Sequence, residues 1–428
     1  MEEKKYVAEE SASVQPAKLK SKSKFAILGP GIVLAATGVG AGDLVTAIVA
    51  GADFGISLAW AVFIGVFFKY ILTEGVGRWT LATGQTILEG WRSLGMWTMG
   101  YFFVYVTLFG LIYGAAIATA CGLIMYTMFP IMPLWAWAVL HSVAGFALIW
   151  FGRYKIFERV ITVLIGIMFV AVVGSAIVIL PSLGAIPSEA LVPRIPDGSI
   201  YRILGIVGGV GGTMALAAYG YWIREKEWND KSWIPVMRLD ASIAYIITGL
   251  FTVSMMIIGT HFLYGSGIAF SGSEGLKDFL GLYGQNFGTT AKFALNIGFW
   301  AAAFSSLIGS WSGIPYLFAD FVRVVKRKGE DKGNQSNPVS EKDPAYRAFL
   351  AWLTFPSLLL LIFNKPVSLV LLYAALGSAF LPFLAITLLL LLNSKEKVMP
   401  DYRNKWGHNA TLVFIILVFI VLGVIEFL

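Results

Sequence analysis

The chain is built from long apolar runs separated by short polar ones. A membrane helix needs about 20 mostly apolar residues. Eleven stretches approach or exceed that length: residues 25–50, 57–77, 97–128, 132–151, 157–181, 201–223, 238–264, 290–325, 345–363, 366–392 and 408–428. The pattern predicts eleven membrane-spanning helices, and the 290–325 stretch is long enough to protrude into the cytoplasm. Two spans carry a glycine cluster in the middle: Gly38-Val39-Gly40-Ala41-Gly42 in the first and Gly208-Gly209-Val210-Gly211-Gly212 in the sixth. Each mid-helix glycine costs roughly 1 kcal/mol relative to alanine. Close helix packing explains one such cluster. Two clusters at matching places in two halves of the chain point to broken helices, between which secondary transporters place their substrate.

The matching breaks imply a repeat. Residues 25–184 form a first unit of five spans, 185–200 an external linker, and 201–393 a second unit of five. Residues 394–428 supply a cytoplasmic loop and span eleven, and 1–24 form a cytoplasmic polar tail. Five is odd, so the two units are inverted relative to one another in the membrane. The linker stretch Ala185 to Gly198 contains three prolines and suits an extended connection. Residues 269–288 read as a second external loop with some amphipathic character. Residues 328–343 read as a polar linker with no apolar periodicity.

Composition agrees with this pattern. Hydrophobic residues make up 57% of the chain and charged ones 13%, with a mean hydropathy of +0.76. That excludes a soluble domain. The net charge of +7 would suggest nucleic acid, but its placement argues otherwise. With the amino terminus inside, the external loops hold Arg194, Arg202, Lys277 and Lys365. Lys69 and Lys292 fall within spans or at their ends, and the remaining Lys and Arg are cytoplasmic. This is the positive-inside distribution. It excludes a nucleic-acid partner and places the carboxyl terminus outside, with a multi-pass protein in the plasma (inner) membrane. Cys121, the sole cysteine, reads as a small core residue of span three. The three histidines are scattered, with no metal-ligand spacing. Without a nucleophile–base pair or a metal cluster, the chain does not read as an enzyme, and no cofactor is expected.

Several stretches, in order, resemble one family. They are Gly29-Pro30-Gly31, Gly38 to Asp43, Gly51-Ala52-Asp53-Phe54-Gly55, Leu81-Ala82-Thr83-Gly84, Val192-Pro193 leading into Gly205 to Gly208, Leu239-Asp240, Ala302 to Ser306, and Pro356-Ser357. Together they resemble the Nramp (natural resistance-associated macrophage protein) divalent-metal transporters over nearly the whole hydrophobic chain. The resemblance implies an all-α integral membrane fold: an inverted 5+5 repeat of the amino-acid-transporter type, with helices one and six broken. It also implies a divalent cation as cargo, moved by alternating access.

The departures fall on the family's metal-handling side chains. Gly40-Ala41-Gly42-Asp43 stands where the family has Asp-Pro-Gly-Asn, so the expected Asp is Gly40 and the expected Asn is Asp43. The family's Met-Pro-His motif falls at Gly212-Thr213-Met214, its span-ten glutamine near Ala375, and its span-six histidines near Met214 and Tyr219. Its span-three acids have no counterpart between Tyr101 and Phe129.

Asp43 is the foremost candidate. A carboxylate within a span is expensive and by default marks a pathway. With unwound backbone carbonyls it forms a hard-oxygen set suited to Mg²⁺, Ca²⁺, Mn²⁺ or Na⁺. Asp is also a good helix cap, and one residue can do both. The candidate binding set is Asp43 with Gly40, Ala41, Gly209, Gly212, Thr213 and Met214. Met214 counts as a soft ligand only if it points inward, since methionine usually fills core gaps. Glu74 and Arg78, four apart on span two, and Asp240 at the inner start of span seven read as gating or structural pairs. Asp320 reads as solvated. Ser305, Ser306, Ser310 and Ser312 read as helix-packing groups. Tyr219 and Tyr221 are candidates to line a cavity.

The reading is a secondary transporter in the lipid bilayer carrying a divalent cation, a harder ion such as Mg²⁺ or Mn²⁺. Two alternatives stay open. One is a small organic solute held by half-helix amino termini, and the other a receptor or scaffold that keeps the fold without transport. Oligomeric state is not readable from the sequence.

Overall fold

The computed structural model describes residues 29–152, 154–183, 192–270, 272–326, 339–363 and 365–427. The tail 1–24 and the stretches 185–191 and 328–338 lie outside the described residues. The described residues are helical, without strands. In chain order the helices are α1 (Pro30–Gly38), α2 (Ala41–Phe54), α3 (Ala59–Thr83), α4 (Ile87–Leu94), α5 (Met96–Met128), α6 (Leu134–Phe151) and α7 (Tyr154–Ile179). They continue with α8 (Ile200–Gly209), α9 (Met214–Glu225), α10 (Ile234–Leu263), α11 (Gly272–Lys326), α12 (Pro344–Thr354), α13 (Pro366–Leu392) and α14 (Trp406–Phe427). Among the described residues, nine helical runs are long and apolar enough to cross a membrane. That count is lower than eleven partly because a 3₁₀ turn at Gly55–Leu58 joins α2 and α3 into one run.

The fold is an inverted repeat. Each unit opens with a helix broken in two: α1 and α2 in the first, α8 and α9 in the second. At the first break the backbone leaves the helical region at Val39 (ψ 100°) and is extended at Gly40. At the second, Val210 is extended and Gly211 and Gly212 both take positive φ, 72° and 66°, which side-chain-bearing residues rarely adopt. The breaks cross in contact: a Cβ on Gly38 would lie 2.4 Å from the Gly211 carbonyl oxygen. Close packing and helix breakage are therefore one feature here.

The broken pairs run through the middle of the bundle. α10 packs along α2 and α3, α13 along α8 and α5, and α11 along α7, α5 and α1. The α8–α9 pair is the most enclosed of the spanning runs, 94% of its apolar window being buried. Cys121 is buried in α5. One expectation is corrected. The stretch read as an external loop, 269–288, is helical from Gly272 and joins the long span through a kink at Gly288, where φ is 85°. Its amphipathic character is that of a short helix laid against the bundle: Leu276, Phe279, Leu280 and Tyr283 are buried.

Candidate functional site

The first glycine break frees the backbone just before α2, and Asp43 follows within its first turn. Asp43 is completely buried. It is not the N-cap. Gly40 is, and Asp43 is the third residue of the helix, reaching back so that its Oδ2 accepts from the Gly40 amide at 3.3 Å. Its Oδ1 accepts from the Gly211 amide at 3.1 Å and the Thr252 hydroxyl of α10 at 3.1 Å. One carboxylate thus ties both breaks and α10 together. A negative group in the first turn of α2 also suits the helix dipole.

A second charge meets it. Lys69 of α3 is completely buried. Its ammonium donates to the Gly208 carbonyl at 2.8 Å and the Gly212 carbonyl at 2.6 Å. Gly208 stands in the last turn of α8 and Gly212 in the break beyond it, and a cation at a helix carboxyl end is favourable. Asp43 and Lys69 lie close enough for each charge to act on the other. The centre of the molecule is therefore a cation seat of carbonyl oxygens beside a carboxylate, holding an ammonium. The sequence reading passed over Lys69. The rule that singled out Asp43, an ionisable group inside a span, applied equally to a lysine in span two, which was counted only for topology.

Next to the seat lies a narrow crevice lined by Thr37, Gly38, Tyr113, Met214, Ser306 and Tyr373, with room for about one water. Tyr113 is hydrogen-bonded to Ser306 and Ser310, and Tyr373 stands edge-on to Tyr113 with ring centroids 4.9 Å apart. The Thr37 hydroxyl is buried without a hydrogen-bond partner. No group of three His, Cys, Asp or Glu side chains suited to a metal occurs among the described residues.

The other candidates fall as follows. Gly40 has no room for the aspartate the resemblance expects, since a Cβ there would lie 2.2 Å from the Ser306 hydroxyl. Ala41 opens α2 and Gly209 closes α8; the Gly209 carbonyl is taken by the Gly212 amide. Thr213 precedes α9, and its hydroxyl donates to the Gly208 carbonyl at 3.0 Å. Met214 is buried and lines the crevice. Ser305 and Ser306 donate to the carbonyls of Ala36 and Thr37, stitching α11 to the end of α1.

Glu74, Arg78 and Asp240 sit apart from the seat. Glu74 is buried and bridges Arg78 at 3.1 Å and Arg238 of α10 at 2.8 Å. Arg78 also donates to the Tyr402 carbonyl and Asn404 side chain before α14. Arg238, not Asp240, is thus the partner of this network. Asp240 accepts from Tyr219 of α9 at 2.7 Å and packs on Gly31 of α1. Asp320, read as solvated, is instead completely buried. It accepts from Tyr221 at 2.5 Å and from Arg323 at 2.7 Å. The long span eight does not leave the protein at that point, because α9 covers it. Tyr219 and Tyr221 are therefore carboxylate partners.

Known proteins resemble this chain in sequence and in shape. The family model described as natural resistance-associated macrophage protein-like matches residues 31–428. A metal transporter nramp1 homolog of Dictyostelium discoideum is 24% identical over 424 residues, covering 94% of this chain and 74% of its own. A mutant of the Eremococcus coleocola manganese transporter superposes with a TM-score of 0.75 at 16% identity, covering 97% of this chain and 89% of its own. MhsT, solved with L-phenylalanine, superposes at 0.61 and 16% identity, covering 93% and 97%. These likenesses in shape are likenesses of fold.

Proposed function

Because the chain belongs to the natural resistance-associated macrophage protein-like family of membrane transporters, we propose that it carries a divalent metal cation across the bilayer by alternating access. The observation behind this reading is the central seat. Two carbonyls of the second helix break already hold a positive group there, with a carboxylate of the first break nearby. Carboxylate and carbonyl oxygens suit a hard ion, Mg²⁺ or Mn²⁺, over a soft one. Asp43, Gly208, Gly212 and the unpartnered Thr37 hydroxyl are the groups we assign to the ion. Movement of the half-helices against α3, α10 and α11 would open the crevice to one side at a time. Glu74, Arg78 and Arg238 would form the inner gate.

Two finer readings accompany this. The positive-inside distribution supports a cytoplasmic amino terminus, an external carboxyl terminus and residence in the plasma membrane. The units 25–184 and 201–393 would be the moving repeats. A second substrate reading, a small organic solute, is favoured by one observation: Lys69 already occupies the carbonyls, and the crevice beside them offers hydroxyls and amides. Uptake of Mg²⁺, Mn²⁺, Ca²⁺ and a panel of amino acids into sealed vesicles containing the purified protein tests both. Accumulation of a divalent ion supports the first reading. Accumulation of an amino acid without any metal replaces it with the second.

A further inference from the structure

We propose that Lys69 is a tethered competitor of the transported ion: it occupies the ion's place in the empty carrier and must swing out before the ion can bind. The proposal rests on the divalent-cation reading above.

The geometry comes from the packing of α3 on the second break. A Cβ on Gly65 would lie 2.6 Å from the Val210 side chain, so α3 runs hard against the end of α8. Lys69 is one turn further along the same face. Its stem crosses into the break and its ammonium donates to both the Gly208 and Gly212 carbonyls. Asp43 supplies the balancing charge, with its own oxygens held by amides and a hydroxyl from three elements. The empty seat is therefore neutral, and the Asp43 oxygens and the Lys69 ammonium both have hydrogen-bond partners.

A divalent ion cannot simply be added to this arrangement. With the ammonium in place, the only carboxylate at the seat would face three positive charges in a dry interior, where like charges repel strongly. The ion also needs the oxygens that the ammonium holds. Lysine carries its charge on a flexible four-carbon stem, so it can withdraw while the backbone carbonyls stay. When the ion leaves, the ammonium returns and spares the break an unpaired buried carboxylate, a costly state. Lys69 thus lowers affinity for the ion and lets the empty carrier reset. Lys69 acts on the site as a specificity-determining and positioning residue.

The test compares wild type with Lys69→Met, similar in length and uncharged, and Lys69→Arg, using the full-length purified protein. Calorimetry with Mn²⁺ and Mg²⁺ should show Lys69→Met binding at least tenfold tighter than wild type, and Lys69→Arg no tighter. In vesicles, Lys69→Met should keep Mn²⁺/Mn²⁺ exchange while net uptake falls severalfold, because only net uptake needs the empty carrier to return. A purely structural lysine would lower both together. Folded Lys69→Met that binds Mn²⁺ no tighter than wild type overturns the proposal. Lys69→Gln, which keeps a donor for the carbonyls, replaces Lys69→Met if the latter does not fold, and failure of both to fold also overturns it. Metal bound by Lys69→Met but by wild type not at all keeps the competition and removes the metal reading of the native carrier. Wild-type metal transport with an unchanged Lys69→Met does the reverse.

Discussion

A single buried carboxylate carries the chemistry at the residue scale. Asp43 accepts from Gly40, Gly211 and Thr252 and faces Lys69, so its loss has a cost that simple capping would not. Asn caps helices about as well as Asp, yet Asp43→Asn leaves Lys69 uncompensated. Breaking a buried pair on one side typically costs about 3–5 kcal/mol. Asp43→Asn should therefore lose uptake and melt well below wild type. Asp43→Asn combined with Lys69→Met should recover much of the melting temperature, with a coupling of at least about 1.5 kcal/mol in a double-mutant cycle, but no uptake. Additive single effects would mean the two charges do not interact. The carboxylate was legible in the sequence because it stands beside a glycine break. Lys69 was legible by the same rule as an ionisable group inside a span, but its partnership with Asp43 was not, because that depends on the packing of α3 against the end of α8. Asp320 was misread for the same reason: what covers it, Tyr221, is contributed by another helix.

The breaks are the informative feature at the element scale. Gly38 and Gly211 meet backbone to backbone, and backbone cannot yield as a side chain can. Gly38→Ala should cost roughly 1–3 kcal/mol through overpacking and abolish transport. Gly100 of α5 is the control. It is exposed, and an added Cβ there meets nothing within 4 Å, so Gly100→Ala should leave transport intact and hold or raise the melting temperature. Equal loss in both variants would mean that helix glycines matter here only for flexibility. The glycine clusters were readable because nothing local repays their cost. The helix from Gly272 to the Gly288 kink was less readable, because a short amphipathic stretch between two spans looks much like a polar loop until its buried face is seen.

Alternating access requires at the scale of the whole molecule that one side be closed while the other opens. In the proposed orientation the inner gate would be Glu74, which joins α3 to α10, and Arg78, which joins α3 to the approach of α14. Arg238 is half exposed, so its contribution to stability is small, but its place in the closure is direct. Arg238→Ala should shift the population toward an inward-open state. In a Cys121→Ser background, a cysteine substituted at Thr37 should then react severalfold faster with a membrane-impermeant thiol reagent applied from the cytoplasmic side. An unchanged rate would remove these residues from the gate. Topology makes a separate demand. The proposed topology, eleven spans with an inner amino terminus, predicts that a fluorescent protein fused to the carboxyl terminus, of a type that matures only in the cytoplasm, stays dark.

The neutral pairing of Asp43 with Lys69 also bears on membrane voltage. A charge crossing the field gains or loses about 2.3 kcal/mol per 100 mV. With ammonium and carboxylate together at the seat, the empty carrier moves almost no net charge as it resets, so the resting potential neither drives nor brakes that step. The loaded carrier moves the charge of the ion. Transport current should therefore follow voltage only where loading and translocation limit the cycle, and should become voltage-independent once external ion saturates the seat and the return step sets the pace.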